Sequence, residues 1–73
     1  MFTVRILIDG QLTELGELTY VNESDALDTF DATGKTLEIQ ARKDVDQEVT
    51  IQVSDSAENV IAEGTWQGDR RVG

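Results

Sequence analysis

Hydrophobic and polar residues alternate along most of this chain, which is typical of β-strands that are buried on one face only. The first such run puts Phe2, Val4, Ile6 and Ile8 on one side and polar residues mostly on the other. A second run follows it directly, and later runs occupy residues 36–42, 49–54 and 60–66. The pattern therefore predicts five strands.

The first two strands are predicted to form a hairpin around Asp9-Gly10. This dipeptide favours a two-residue turn because both central positions need a positive φ. A turn of that length would put Arg5 opposite Glu14 as a cross-strand charge pair. Further along the second strand the alternation slips, and a bulge at Gly16 would return Leu18 and Tyr20 to the core side.

One segment, residues 22–34, has a helical period instead. Asn22 can cap its start and Asp25 follows three residues later, while Gly34 is typical of a helix end. At 100° per residue one face carries apolar side chains and the other carries mainly polar ones. The apolar face is formed by Ala26, Leu27 and Phe30, the opposite face by Asp25, Asp28, Thr29 and Ala32, and Asp31 lies at the boundary.

Together these elements predict an α+β fold of order ββαβββ, with an antiparallel or mixed five-stranded sheet and one helix packed on one face. At 73 residues the chain is expected to form a single domain over 1–66, followed by a short tail at 67–73. Tyr20 is expected in the core. Trp66 could lie in the core or anchor a partner, since tryptophan is common at binding hot spots.

Charge is the unusual feature of the composition. The chain has 15 acidic and 6 basic residues, for a net charge of −9. Seven carboxylates and no base lie between Asp9 and Asp31, and the same is true between Asp44 and Asp69. This distribution argues against direct binding of nucleic acid or of an anionic membrane, both of which require a basic surface. The acidity could also serve solubility alone.

Candidate chemistry is sparse. Cysteine and histidine are both absent, which removes the usual catalytic base, thiol chemistry and most transition-metal sites, so we expect neither an enzyme nor a cofactor. Asp44, Asp46, Glu48 and Asp55 are spaced like the start of a calcium loop, but Val49 stands where such a loop needs glycine. A solvated hairpin loop is the preferred interpretation. The apolar N-terminal run is too short for a signal peptide or a membrane span, so a soluble, cytoplasmic protein is expected.

Two resemblances suggest a function. The opening MFTVRILIDG, a helix beginning near Asn22 and the ending RRVG are similar in order to the β-grasp of ubiquitin-like proteins. That resemblance covers the first 34 residues and the tail, and it implies a protein-interaction module. Ubiquitin-type modifiers end in paired glycines whereas this chain ends Val72-Gly73, so no conjugation is expected.

The second resemblance covers the whole chain. Its small size, its acidity and its lack of catalytic motifs resemble the anti-CRISPR and anti-restriction inhibitors encoded by phages, several of which mimic DNA. Carboxylates on a strand recur at about 6–7 Å and on a helix face at about 5–6 Å, so they can imitate a row of phosphates. The resemblance implies a viral protein, acting in the host cytoplasm, that blocks the basic surface of a nucleic-acid-binding protein. The sequence leaves its oligomeric state open, with a monomer favoured. The expected partner-binding residues are Asp9, Glu14, Glu17, Glu23, Asp25, Asp28 and Asp31.

A third possibility is a metal-binding or structural domain whose acidity is incidental. The surface distinguishes the three. One contiguous acidic face favours the inhibitor, an exposed apolar patch on the sheet favours the interaction module, and converging carboxylates favour the metal site.

Overall fold

The computed structural model describes residues 1–40 and 47–73, without the side chains of residues 14, 15 and 40. It contains five strands and one helix in the predicted order, which confirms the α+β class. The elements are β1 (Phe2–Ile8), β2 (Gln11–Tyr20), α1 (Glu23–Gln40), β3 (Glu48–Ser54), β4 (Val60–Gln67) and β5 (Arg70–Arg71). The strands form one antiparallel sheet in the order β2-β1-β3-β4-β5, and α1 packs across one face of it.

The predicted hairpin turn is confirmed. Asp9 and Gly10 have φ angles of 52° and 82°, and Ile8 pairs directly with Gln11. A turn with two positive φ values twists in the same sense as the strands that it joins, which explains why this dipeptide closes the hairpin.

The predicted pairing of Arg5 with Glu14 is wrong, because Arg5 lies opposite Glu17. The register shifts between Arg5 and Leu7, so β2 contains an irregular segment that includes Gly16, as the slip in alternation predicted. The shift pairs Val4 with Leu18 and Phe2 with Tyr20, which keeps apolar residues together on the face that α1 covers. Burial of that face therefore determines the register of β2.

The helix is longer than predicted. It runs past Gly34 to Gln40, so the strand expected at 36–42 is wrong for Thr36 to Gln40, and Ala41 and Arg42 lie outside the described residues. Leu37 follows Phe30 by seven residues and packs on the same core. Gly34 is buried in the middle of the helix rather than at its end. Ile39, expected to point inward on a strand, is 80% exposed.

The described sheet still has five strands, because residues 67–73, which were expected to form a tail, contain β5. Gly68 has a φ of 60° and allows the chain to reverse after β4. Arg70 and Arg71 then pair with Gln67 and Trp66, and the backbones of Val72 and Gly73 bond to Thr65.

The core lies between α1 and the sheet. Phe30 and Ala26 are buried and Leu27 is half-buried, as predicted for this helix face, while Asp28 is exposed. Tyr20 packs at the margin of the core, and Trp66, whose place the sequence left open, is buried within it. The buried hydrophobic residues of this core in the described structure are Val4, Ala26, Phe30, Val49, Ile51, Val53 and Trp66.

The face of the sheet that points away from α1 is largely polar, and we call it the open face. Arg5 contacts both Glu17 and Ser54 there. Further across the sheet, the side chain of Gln52 donates to Glu63 at 2.6 Å. These contacts pair several polar side chains of the open face with one another.

Candidate partner-binding surface

The candidate surface is the solvent-facing side of α1. The helix begins directly after Asn22, whose carbonyl accepts the first helical hydrogen bond from Ala26 and whose side chain donates to Asp25 at 3.4 Å. Glu23 and Asp25 occupy the first turn, where negative charge interacts favourably with the helix dipole. The local sequence thus explains both where the helix starts and why its start is acidic.

Four of the seven predicted partner-binding residues lie on this helix, and all four are exposed. They are Glu23, Asp25, Asp28 and Asp31. Because three residues advance the helix by about 300°, the three aspartates form a stripe that drifts slowly around it, with neighbours about 5–6 Å apart at Cβ. Glu23 lies about 200° around the helix from Asp25 and stands apart from them, so we call the three aspartates the α1 acidic stripe.

The other three predicted residues do not join the stripe. Glu17 lies on the open face and forms an ion pair with Arg5 at 3.0 Å. Asp9 lies in the hairpin turn, where its carboxylate accepts the Glu48 amide at 3.1 Å. Glu14 is in β2, and its side chain is among those not described. The predicted set is therefore split between the two faces and one end of the molecule.

Among the described residues, no cationic group lies within 4.0 Å of a carboxylate of the α1 acidic stripe. This holds for residues 1–40 and 47–73, with the exception of the side chains of residues 14, 15 and 40. In that part of the chain, the one ion pair within 4.0 Å joins Arg5 and Glu17. Lys35, one turn after Asp31, forms no ion pair in that part of the chain. The carboxylates of the stripe are consequently available to an external cationic surface.

A shallow cleft of about 160 Å³ borders the stripe between α1 and the last two strands. Its floor is Trp66, whose ring meets that of Phe30 edge-on with centroids 6.0 Å apart. The Arg71 guanidinium lies 5.1 Å from the Trp66 ring centroid and donates to the carbonyl oxygens of Gly73 and Glu63. The lining residues are Phe30, Asp31, Gly34, Lys35, Glu38, Trp66 and Arg71.

This cleft is a packing feature more than a pocket for a substrate. Pockets for small molecules usually enclose about 300–1,000 Å³, well above the volume here. Its Glu38 carboxylate is hydrogen-bonded to Trp66, and its Arg71 is held by two backbone carbonyls. Sequence reasoning missed Glu38 and Arg71 because it placed one in a strand and the other in a tail.

The carboxylates of the suspected calcium loop do not converge in the described part of the chain. Asp44 and Asp46 lie outside it, while Glu48 and Asp55 stand at opposite ends of β3. Asp55 instead organises the β3–β4 turn by accepting the backbone amides of Ala57 and Asn59, both at 2.9 Å. The hydrogen bond from the Asn59 amide is the main reason that the pKa of Asp55 lies below its ordinary value of 3.8.

Among the described residues, no helix is both long and apolar enough to cross a membrane. Compared with known proteins, the chain matches no family model, no curated sequence and no solved structure. Any functional conclusion must therefore come from the surface chemistry of the molecule.

Proposed function

We propose that this protein is a non-enzymatic inhibitor that occupies the basic, nucleic-acid-binding surface of a partner protein. The observation that carries the proposal is the α1 acidic stripe, three exposed aspartates along one helix with no cation paired to them in the described structure. A surface of this kind is attracted to a channel lined with lysine and arginine. A phage protein directed in the host cytoplasm against a CRISPR or restriction nuclease would meet such a channel.

The size and charge of the molecule favour mimicry of a single strand over mimicry of a duplex. Its long axis is 37 Å, close to the roughly 34–36 Å of one turn of B-DNA. Nine net charges over that length is about one per 4 Å. Duplex DNA carries about one charge per 1.7 Å, and each of its strands about one per 3.4 Å. Averaged over its length, the net charge of the whole molecule is therefore close to that of one strand.

The experiment is a competition assay with a matched control. A panel of CRISPR and restriction nucleases is screened for inhibition of DNA cleavage, and the inhibited nuclease is tested against two double variants. Asp28→Lys/Asp31→Lys reverses two charges of the stripe, whereas Glu58→Lys/Asp69→Lys makes the same change in net charge on the β3–β4 and β4–β5 turns. Asp25 is left unchanged because it accepts the Asn22 side chain at the helix start.

We expect the stripe variant to lose most of its inhibition and the turn variant to retain most of it. Binding should also weaken with added salt, since the Debye length falls from about 10 Å at 0.1 M to about 3 Å at 1 M. Excess DNA should displace the wild-type protein. Equal inhibition by both variants, or simultaneous binding of DNA and this protein to the partner, would refute the proposal. Loss of binding only through changes on the open face would favour the ubiquitin-like interaction module instead.

A further inference from the structure

The two edges of the sheet differ in how well they are closed. At the β4 side, β5 pairs with Gln67 and Trp66, and the backbones of Val72 and Gly73 continue along Thr65. At the other side, β2 is ten residues long and pairs only with β1 within the described structure. An open strand edge presents backbone donors and acceptors to any extended chain that can align with it.

The register shows which β2 amides point outward. Ile8 and Gln11 close a two-residue turn, so they form a hydrogen-bonded pair, and the alternation along β1 makes Val4–Leu18 and Phe2–Tyr20 the next such pairs. The Asp9 amide bonds to β3 at 2.8 Å, which fits the same alternation. The backbone groups of Glu17 and Thr19 therefore point away from β1.

Residues 17–20 lack the usual protection of an edge strand. No lysine or arginine lies between Asp9 and Asp31, and the irregular segment of β2 ends before Glu17. Glu17 could have shielded the edge with its charge, but its carboxylate is drawn toward β1 by Arg5. Leu18, 44% exposed, and Tyr20 leave apolar surface beside the open backbone groups.

We propose that residues 17–20 of β2 pair with an extended segment of the partner in which basic and apolar residues alternate. The proposal deepens the proposed function and rests on it. Side chains of the added strand on the α1 side would meet Leu18 and Tyr20, which requires apolar residues. Those on the open face would meet Thr19 and Glu17, which Arg5 already pairs, and the net charge of −9 favours lysine or arginine at these positions.

A second copy of this chain fits the edge poorly. Two molecules that each carry a net charge of −9 repel one another, and joining two β2 edges would bring like acidic tracts together. A basic partner segment gains from the same charge.

The first test uses a short blocked peptide in which lysine and valine alternate. In the variant Thr19→Pro the outward amide is removed while the hydrogen bonds to β1 remain, because proline is tolerated at a solvent-facing edge position. Thr19→Ala is the control that keeps the amide. We expect the peptide to bind Thr19→Pro about tenfold more weakly than the wild type, and Thr19→Ala to bind like the wild type.

The second test needs no variant, so it holds even if Thr19→Pro does not fold. Hydrogen exchange of the wild-type amides is measured with and without the peptide, and we expect the Glu17 and Thr19 amides to gain protection. Unchanged exchange at both amides, or protection confined to α1, would overturn the inference, as would self-association through β2 in sedimentation.

If Thr19→Pro still inhibits the nuclease fully while the stripe variant does not, the edge inference fails and the proposed function stands. If residues 17–20 bind the peptide but the stripe variant inhibits the nuclease fully, only the proposed function of the α1 acidic stripe fails.

Discussion

Glu38, near the end of α1, accepts a hydrogen bond from the indole nitrogen of Trp66 in β4 at 3.1 Å. Trp66 is 2% exposed, so its N–H has little access to water and depends on this partner. The contact joins the segment that sequence patterns predicted as a strand to the aromatic residue whose position they left open.

Replacing Glu38 with alanine should therefore destabilise the protein by about 1–3 kcal/mol, because a largely buried donor is left without an acceptor. Glu38→Gln keeps an acceptor oxygen and should cost less. Asp28→Ala, on the exposed side of the same helix, is the control. Urea unfolding followed by circular dichroism measures all three, and equal stability of Glu38→Ala and Asp28→Ala would show that the hydrogen bond contributes little.

Gly34→Ala should destabilise the protein although alanine is the better helix former. At an exposed position in the middle of a helix, replacing glycine with alanine increases stability by about 0.5–1 kcal/mol. Here the added Cβ would lie 2.6 Å from a ring carbon of Trp66, and Gly64 confines the same ring from β4. We expect a net loss of about 1–3 kcal/mol from overpacking.

The control for Gly34→Ala is Thr36→Ala, an exposed position on the same helix that should lose little or nothing. Thermal unfolding of both variants separates helix propensity from the clash with the ring. A Gly34→Ala protein that melts above the wild type would mean that the Trp66 ring can move.

Gly10→Val should cost about 1–2 kcal/mol, because a β-branched residue is strained at the φ of 82° found there. Apart from the two neighbours of Gly10 in the chain, no atom of the described residues lies within 4 Å of the added Cβ, so the cost is conformational rather than steric. Gly10→Asn is the matched variant, since asparagine tolerates positive φ, and it should remain close to the wild type in urea unfolding. Equal losses in both variants would point to a different cause.

The β3–β4 turn should make stability depend on pH in the acid range. The pKa of Asp55 is lower in the folded protein than in the unfolded chain, so its ionised form stabilises the fold above its ordinary value of 3.8. That contribution is lost as the pH falls through the lower, folded pKa. The difference in melting temperature between wild type and Asp55→Ala should therefore be present at pH 7 and shrink below about pH 3.8. Asp55→Asn keeps an acceptor oxygen without the charge, and its stability should lack this pH dependence.

Features that depend on neighbouring residues alone could be predicted from the sequence. The Asp9-Gly10 turn and the helix start at Asn22 are of this kind, because backbone preference and capping are local effects. Gly34 shows where such reasoning stops. A glycine can end a helix or admit a neighbouring ring, and only the position of Trp66, 32 residues later, decides between them.

The candidate surface was predictable only in part for the same reason. The spacing of Asp25, Asp28 and Asp31 implies a stripe on any helix, and the helix is present. Grouping Glu17 with them failed because the register of β2 sends its side chain to the other face, beside Arg5. That register follows from the pairing of Val4 with Leu18 and Phe2 with Tyr20, which places Tyr20 against the core and is a property of the whole sheet.

The strand order has a consequence for how the chain folds. β1 precedes the other described strands in the chain, yet it lies inside the sheet and pairs Thr3 with Ser54, the last residue of β3. The hairpin of β1 and β2 can form early. The other edge of β1 stays unpaired until β3 reaches it, which closes the chain between β1 and β3 into a long loop. Such distant pairings slow folding. We therefore expect the nascent chain to acquire its complete sheet only after β3 and β4 have left the ribosome, with the rate set by this one closure.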